Sequence, residues 1–176
     1  MPIQRLNHAV LYVRDAQRSA AFYEEVLGFV RLVDSPRAVF LRAPGSTNDH
    51  DLGLFSVGEA AEPSPAGRGT VGLYHLAWEV DTLDELDRLA GVLSDRGVLV
   101  GASDHGTTKA LYARDPDGIE FEVSWLVPAD RLGEVGPHGG VLPLDIEREK
   151  ARYGGSTLGG VGVSTPDPRG LSPAAR

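Results

Sequence analysis

The chain of 176 residues contains no cysteine and a single methionine. Without thiols it can form no disulfide, thiolate metal site or cysteine nucleophile, so a metal would have to be held by imidazole and carboxylate. Aromatic residues are scarce, at 7%. Positive charge is scarce too: 17 Lys and Arg stand against 25 Asp and Glu, a net charge of -8. With no basic stripe to neutralise phosphates, neither nucleic acid nor an anionic membrane surface is an expected partner. No stretch approaches the roughly 20 apolar residues of a membrane span. The opening "MPIQRLNHAV" enters strand-like sequence with no apolar signal core, so the expected location is cytoplasmic.

What is present is a core and a repeat. Hydrophobic residues make up 41% of the chain, enough to bury a real interior at this length. A short strand is written twice, as "LNHAVLYV" and "LYHLAWEV", with His8 and His75 in the same slot. After the first copy, Asp15 is placed to cap a helix in which Ala16, Ala20, Tyr23 and Leu27 recur at helical spacing, and Gly28 stops it. "FVRLVD", "AVFLRA" and "DLGLFSV" then read as three strands separated by turn-forming "SPR" and "PGSTND".

The order repeats after a Pro-, Gly- and Ala-rich linker. Leu83, Leu86, Leu89 and Leu93 mark a second helix, with Asp81 as the expected cap and Gly97 as the stop. "VLVGA", "KALYA" and "IEFEVSW" complete the second set, with "RDPDG" a strong turn before the last strand. The expected organisation is a first βαβββ module over 1–58, a linker over 59–70, a second module over 71–127 and a C-terminal extension over 128–176. The fold class is α+β: tandem βαβββ modules forming one curved mixed sheet with helices on its convex face.

Strand alternation gives the repeat a chemical meaning. If Ala9, Leu11 and Val13, and Leu76, Trp78 and Val80, face the helices, then His8 and His75 face the hollow of the sheet. In "DPDGIEFEVSW", Phe121, Val123 and Trp125 take the helix side and Glu120 and Glu122 the hollow side. Two imidazoles and a carboxylate on three strands form a facial ligand set that leaves positions open on a divalent ion. Glu122 is in phase with the histidines; Glu120 is expected nearer the mouth or the surface. A lone strand histidine is ordinarily a half-buried polar residue, and the in-register repeat is what favours the metal site.

"LNHAVLYVRDAQRSAAFYEEVLGF", "GLYHLAWEV" and "LYARDPDGIEFEVSW" resemble the vicinal oxygen chelate superfamily of glyoxalases, epimerases, fosfomycin- and bleomycin-resistance proteins and extradiol dioxygenases, over about residues 4–127. The resemblance is nearest to small catechol 2,3-dioxygenase-like members. It implies metal ligands at His8, His75 and Glu122, and no organic cofactor. Glyoxalase-like members place a fourth ligand on the last strand of the first module, where this chain has Leu54 and Phe55, a departure that argues against that branch. "SDHGTTKALYARDPDG" is similar to the extradiol segment that supplies a catalytic histidine and tyrosine, mapping onto His105 and Tyr112.

The implied activity is cleavage of a catechol-like substrate by O2 at Fe(II), with another divalent metal as the alternative ion. The histidine would accept a catechol proton, a task suited to a side-chain type that titrates near neutrality, and the tyrosine would orient the second oxygen. The rival readings are a glyoxalase-like lyase or isomerase and a metal-free binder of an aromatic or antibiotic ligand. By analogy the assembly is a homodimer. His50 and His138 sit in loop-like sequence and are expected to be solvent exposed, and Lys109 is either a pocket charge or an edge-strand lysine. In the extension, "LDIEREKARYGG" reads as a short helix, and the chain beyond Gly154 as a mobile tail.

Overall fold

The computed structural model describes residues 3, 5–67, 69–136 and 140–160. His138 and residues 161–176, the greater part of the expected mobile tail, lie outside the described residues. The chain divides into two compact units, one of residues 1–72 with 115–119, the other of 73–114 with 120–176. Each contains a curved mixed sheet and its helices.

In the first unit β1 (Ala9–Val13) leads into α1 (Ala16–Leu27), followed by β2 (Val30–Ser35), β3 (Ala38–Arg42) and β4 (Leu52–Ser56). The strand order is β1-β4-β3-β2, with β1 and β4 parallel and the other pairs antiparallel. Helix α1 begins where Asp15 accepts hydrogen bonds from the backbone N–H of Gln17 and Arg18, and ends at Gly28, whose φ of 73° is open to glycine at little cost. Its buried face, including Ala16, Ala20, Tyr23 and Val26, packs on β3 and β4, where Val39, Leu41, Leu52 and Leu54 are fully buried. The "DPDG" turn belongs to this unit as well. Asp117 accepts from the Arg14 backbone N–H and side chain, from Arg18 and from Ser19, while Tyr23 donates to Asp115 at 3.3 Å.

The second unit repeats the order as β5 (Leu76–Glu79), α2 (Leu83–Asp95), β6 (Leu99–Asp104), β7 (Thr108–Arg114) and β8 (Glu120–Leu126). Its sheet runs β5-β8-β7-β6-β9, where β9 (Leu142–Pro143) comes from the extension. The repeat extends to irregularities: β2 is bulged between Arg31 and Val33, and β6 between Leu99 and Gly101. Leu83, Leu86, Leu89 and Leu93 of α2 are buried, as are Phe121, Val123 and Trp125 of β8.

Several expectations are revised. Among the described residues the strands form two curved sheets rather than one continuous sheet, with the first and last strand of each module pairing with each other. The cap of α2 is Thr82, not Asp81. The Thr82 hydroxyl accepts from Glu85 N–H at 3.2 Å, and Thr82 with Glu85 three residues on is the capping-box pattern. Thr82→Ala is therefore expected to lower the unfolding free energy by about 1 kcal/mol. Asp81→Ala should leave it nearly unchanged, and urea denaturation of both variants checks the pair.

The extension folds as a 3-10 turn (Ala129–Glu134), β9 and α3 (Ile146–Tyr153), and α3 packs on α2. The first residues expected to be mobile are instead held. Trp125 Nε1 donates to the Thr157 carbonyl, Gly159 N–H to Asp81, Gly160 N–H to Leu126, and Asp84 N–H to the Gly155 carbonyl. A side chain at Gly155 would strike the Asp84 carboxylate, and one at Gly159 the Trp125 indole. Among the described residues no helix is long and apolar enough to cross a membrane.

Candidate metal and catalytic site

His75 immediately precedes β5 and, as the alternation requires, lies opposite in parity to Leu76, while Ala77 pairs with Glu122 across the parallel β5–β8 ladder. The two side chains meet, with His75 Nε2 and Glu122 Oε2 3.2 Å apart and 24% and 12% exposed. Two donors each about 2.1 Å from one ion and at right angles would be about 3.0 Å apart, so this spacing suits a shared divalent metal. The other ring nitrogen, His75 Nδ1, is buried with no hydrogen-bond partner among the described residues. The sequence-expected pair is thus assembled, with nitrogen and oxygen donors suited to a first-row divalent ion.

The expected catalytic residues adjoin this pair. Tyr112 stands opposite Glu122 in the antiparallel β7–β8 ladder. Its ring lies 5.7 Å from that of His75. Its hydroxyl shares a 2.8 Å hydrogen bond with His105 Nε2, whose direction follows the imidazole tautomer. Burial, and then the Glu122 carboxylate, push the Tyr112 phenol up to about 12. The hydroxyl therefore remains a hydrogen-bond donor across the physiological range. His105 sits in the turn between β6 and β7, where Gly106 takes a φ of 82°. His105, Tyr112, Glu122 and His75 form a continuous series within the second unit.

His8 belongs to the first unit and immediately precedes β1, as His75 precedes β5. It is exposed, its Nδ1 is 2.6 Å from Asn7 Oδ1, and its ring lies tilted by 39° against that of His50 with centroids 4.5 Å apart. His50 also meets Phe40 edge-on at 5.0 Å. The expectation of a solvent-exposed His50 is therefore corrected: its side chain is 19% exposed, because aromatic neighbours cover it. Asp51 is bound up in its own loop, accepting from Ala43 N–H, Ser46 and Asn48. Among the described residues, no group of three or more His, Asp or Glu side chains is gathered so as to hold a metal by itself.

Register locates the site's asymmetry more closely than sequence alone. Ala9 pairs with Leu52 as Leu76 pairs with Phe121, so Gly53 occupies the slot that Glu122 fills in the second module. Phe40, opposite Gly53, corresponds to Tyr112, opposite Glu122. The position for a fourth protein ligand is Gly53 rather than Leu54 or Phe55, and it carries no side chain. Sequence reasoning missed this because it counted along β4 without knowing the pairing. The signal was the matched spacing of "HDLGLF" and "IEFEVS" after their turns.

Residues 5–123 match the profile of the Glyoxalase/Bleomycin resistance protein/Dioxygenase superfamily. The chain is 33% identical over 118 residues to a catechol-2,3-dioxygenase of Bacillus subtilis, a match covering 67% of this chain and 40% of that protein. It is 35% identical over 122 residues to biphenyl-2,3-diol 1,2-dioxygenase 3 of Rhodococcus globerulus, covering 68% of this chain and 62% of that one. The chain thus spans roughly half the length of these curated relatives. A crystal structure of a glyoxalase/dioxygenase from Nostoc punctiforme superposes with a TM-score of 0.56 at 26% identity, covering 69% of this chain and 90% of that one. The duplicated strand, the paired histidine and glutamate and the matched profile lead to one conclusion: this chain belongs to the glyoxalase/bleomycin resistance protein/dioxygenase superfamily.

Proposed function

We propose that the chain is a metal-dependent extradiol-type dioxygenase that opens a catechol-like ring with O2, holding Fe(II) through His8, His75 and Glu122. The observation that carries this reading is the hydrogen-bonded His105–Tyr112 pair beside the His75–Glu122 pair. A lyase of the glyoxalase kind has no evident use for that second pair, and Gly53 offers it no fourth ligand. Similarity to two ring-cleaving dioxygenases gives further support.

A divalent iron, when bound, supplies open positions at which the two adjacent oxygens of a catechol and O2 can be held side by side. The residues of the chain do the rest. His105 takes the proton from one catechol hydroxyl and returns it as the ring opens, a role that needs one free imidazole nitrogen. Tyr112, kept protonated by burial, donates a hydrogen bond to the second catechol oxygen and fixes the ring's orientation. Both oxygen atoms of O2 end in the ring-opened product.

Anaerobic loading with ferrous iron, followed by a panel of catechols and admission of air, should give O2 uptake and a yellow ring-fission product. Metal-loaded protein that consumes no O2 with any catechol but isomerises a thiol adduct of an α-ketoaldehyde would replace this reading with the lyase. Protein that retains no metal, yet binds an aromatic ligand, would replace it with the sequestering binder. Sedimentation equilibrium tests the homodimer proposed by analogy.

A further inference from the structure

The geometry points to Lys109 as a positioning residue for His105, acting through Asp104 and Gly106 on either side of it and closed from the C-terminal extension by Glu149. Lys109 lies on the helix-facing side of β7, opposite in parity to Tyr112, and is 1% exposed. It is neither a pocket charge nor an edge-strand lysine, since β7 is flanked by β6 and β8. Its ammonium donates to Asp104 Oδ1 at 2.6 Å and to the Gly106 carbonyl at 3.0 Å, and it forms an ion pair with Glu149 Oε2 at 2.9 Å. Asp104 Oδ1 also accepts from Gly106 N–H at 2.8 Å. Arg148 balances the remaining charge, reaching Glu149 Oε1 at 2.9 Å and Asp104 Oδ2 at 3.4 Å.

Stability alone does not account for this arrangement. Removing two carboxylates and an ammonium from water is costly, and an apolar set of equal volume is often as stable or more so. What ions supply and leucines cannot is direction. The turn Asp104–His105–Gly106–Thr107 has no apolar side chain of its own, so its position depends on polar ties. Those ties are the ammonium, the His105 N–H bond to Thr108 and the Val127 N–H bond to Thr107, each of the latter 2.9 Å. A shift of the turn by an ångström breaks the 2.8 Å bond from His105 to Tyr112. On this view α3 is part of the catalytic apparatus although its side chains lie on the opposite face of the sheet from Tyr112.

The inference rests on the proposed role of His105, and its test separates the two. Lys109→Met and Glu149→Gln are compared with wild type in the full chain. The side-chain nitrogen NMR signals of His105 are assigned by their loss in His105→Asn, and ring cleavage is followed on iron-loaded protein. Both variants should move the His105 Nε2 signal while leaving those of His8 and His50 in place. The value of kcat should fall about 100-fold for Lys109→Met and about tenfold for Glu149→Gln with KM within about twofold, as expected for a misplaced catalytic group. If Lys109→Met does not fold, the milder Glu149→Gln, which keeps shape and an acceptor oxygen, decides by the same readings. A folded variant with the His105 signal and kcat of wild type overturns the inference. If wild type cleaves no catechol, the dioxygenase reading fails by itself, and the NMR signal alone then upholds or overturns the role of Lys109.

Discussion

Replacing His75 with alanine is expected to strip the protein of metal while leaving it folded. His75 is a half-buried residue ahead of β5 and carries little of the core, which is built from α2 and the opposite face of β8. Its Nε2 is one of the two donors held 3.2 Å apart, and without it the proposed centre keeps two of its three ligands, His8 and Glu122. Loss of a direct ligand should weaken divalent-metal affinity by more than the roughly 10- to 100-fold typical of losing an outer-shell partner. Competition with a fluorescent chelator measures that change, and circular dichroism checks the fold. Metal affinity equal to wild type in a folded His75→Ala protein would end the case for this centre. Glu122→Gln should behave similarly, with an additional effect on its neighbour, since Tyr112 then loses a negative charge that holds its phenol high.

The second large effect concerns His105. His105→Asn keeps a polar side chain of similar reach but removes the proton acceptor, and kcat should fall about 10²- to 10⁴-fold with KM little altered. Tyr112→Phe should cost less, because it removes an orienting hydrogen bond and not the proton carrier. The double variant should be less damaged than the product of the singles, since the two side chains share the 2.8 Å bond. The pH dependence has a definite sign. Burial and the adjacent carboxylate both disfavour the phenolate, so Tyr112 titrates near 12 in the fold against about 10 for an unperturbed tyrosine. Its contribution to stability is therefore complete below pH 10 and is lost as the pH rises towards 12. Tyr112→Phe should change the height of the rate profile and leave its shape below about pH 10 as it was. A new acidic or neutral limb in that variant would contradict the assigned role.

Much of this was legible in the chain, for reasons that differ by element. The helices announce themselves through Asp15 and Gly28 and through the leucine spacing of α2, because caps and amphipathic faces are local properties. The same holds for the side of the sheet on which His75 and Glu122 fall, since alternation needs no knowledge of the partner strand. Asp81 and Thr82 are both plausible caps by residue type, and which side chain reaches the third N–H is a matter of backbone path. The slot at Gly53 depends on how β1 and β4 pair, which is not a local property. The Lys109 cluster joins β6, β7 and α3 across more than 40 residues of chain, so no spacing rule marks it. The cover over His50 is hidden from the sequence for a similar reason, since its neighbouring rings, Phe40 and His8, lie on other elements.

The superfamily match ends at residue 123, but the folded unit does not. A polypeptide trimmed at that point would sever β8 inside its pairing with β7, discard Trp125, and leave Lys109 without Glu149 in an interior built for charge balance. Asp84 and Asp87 on α2 would lose their ion pairs to Lys150 of α3. Fragments cut at the homology limit are therefore expected to unfold at lower urea than one ending at residue 160, which retains the described hydrogen bonds of the segment that crosses Trp125.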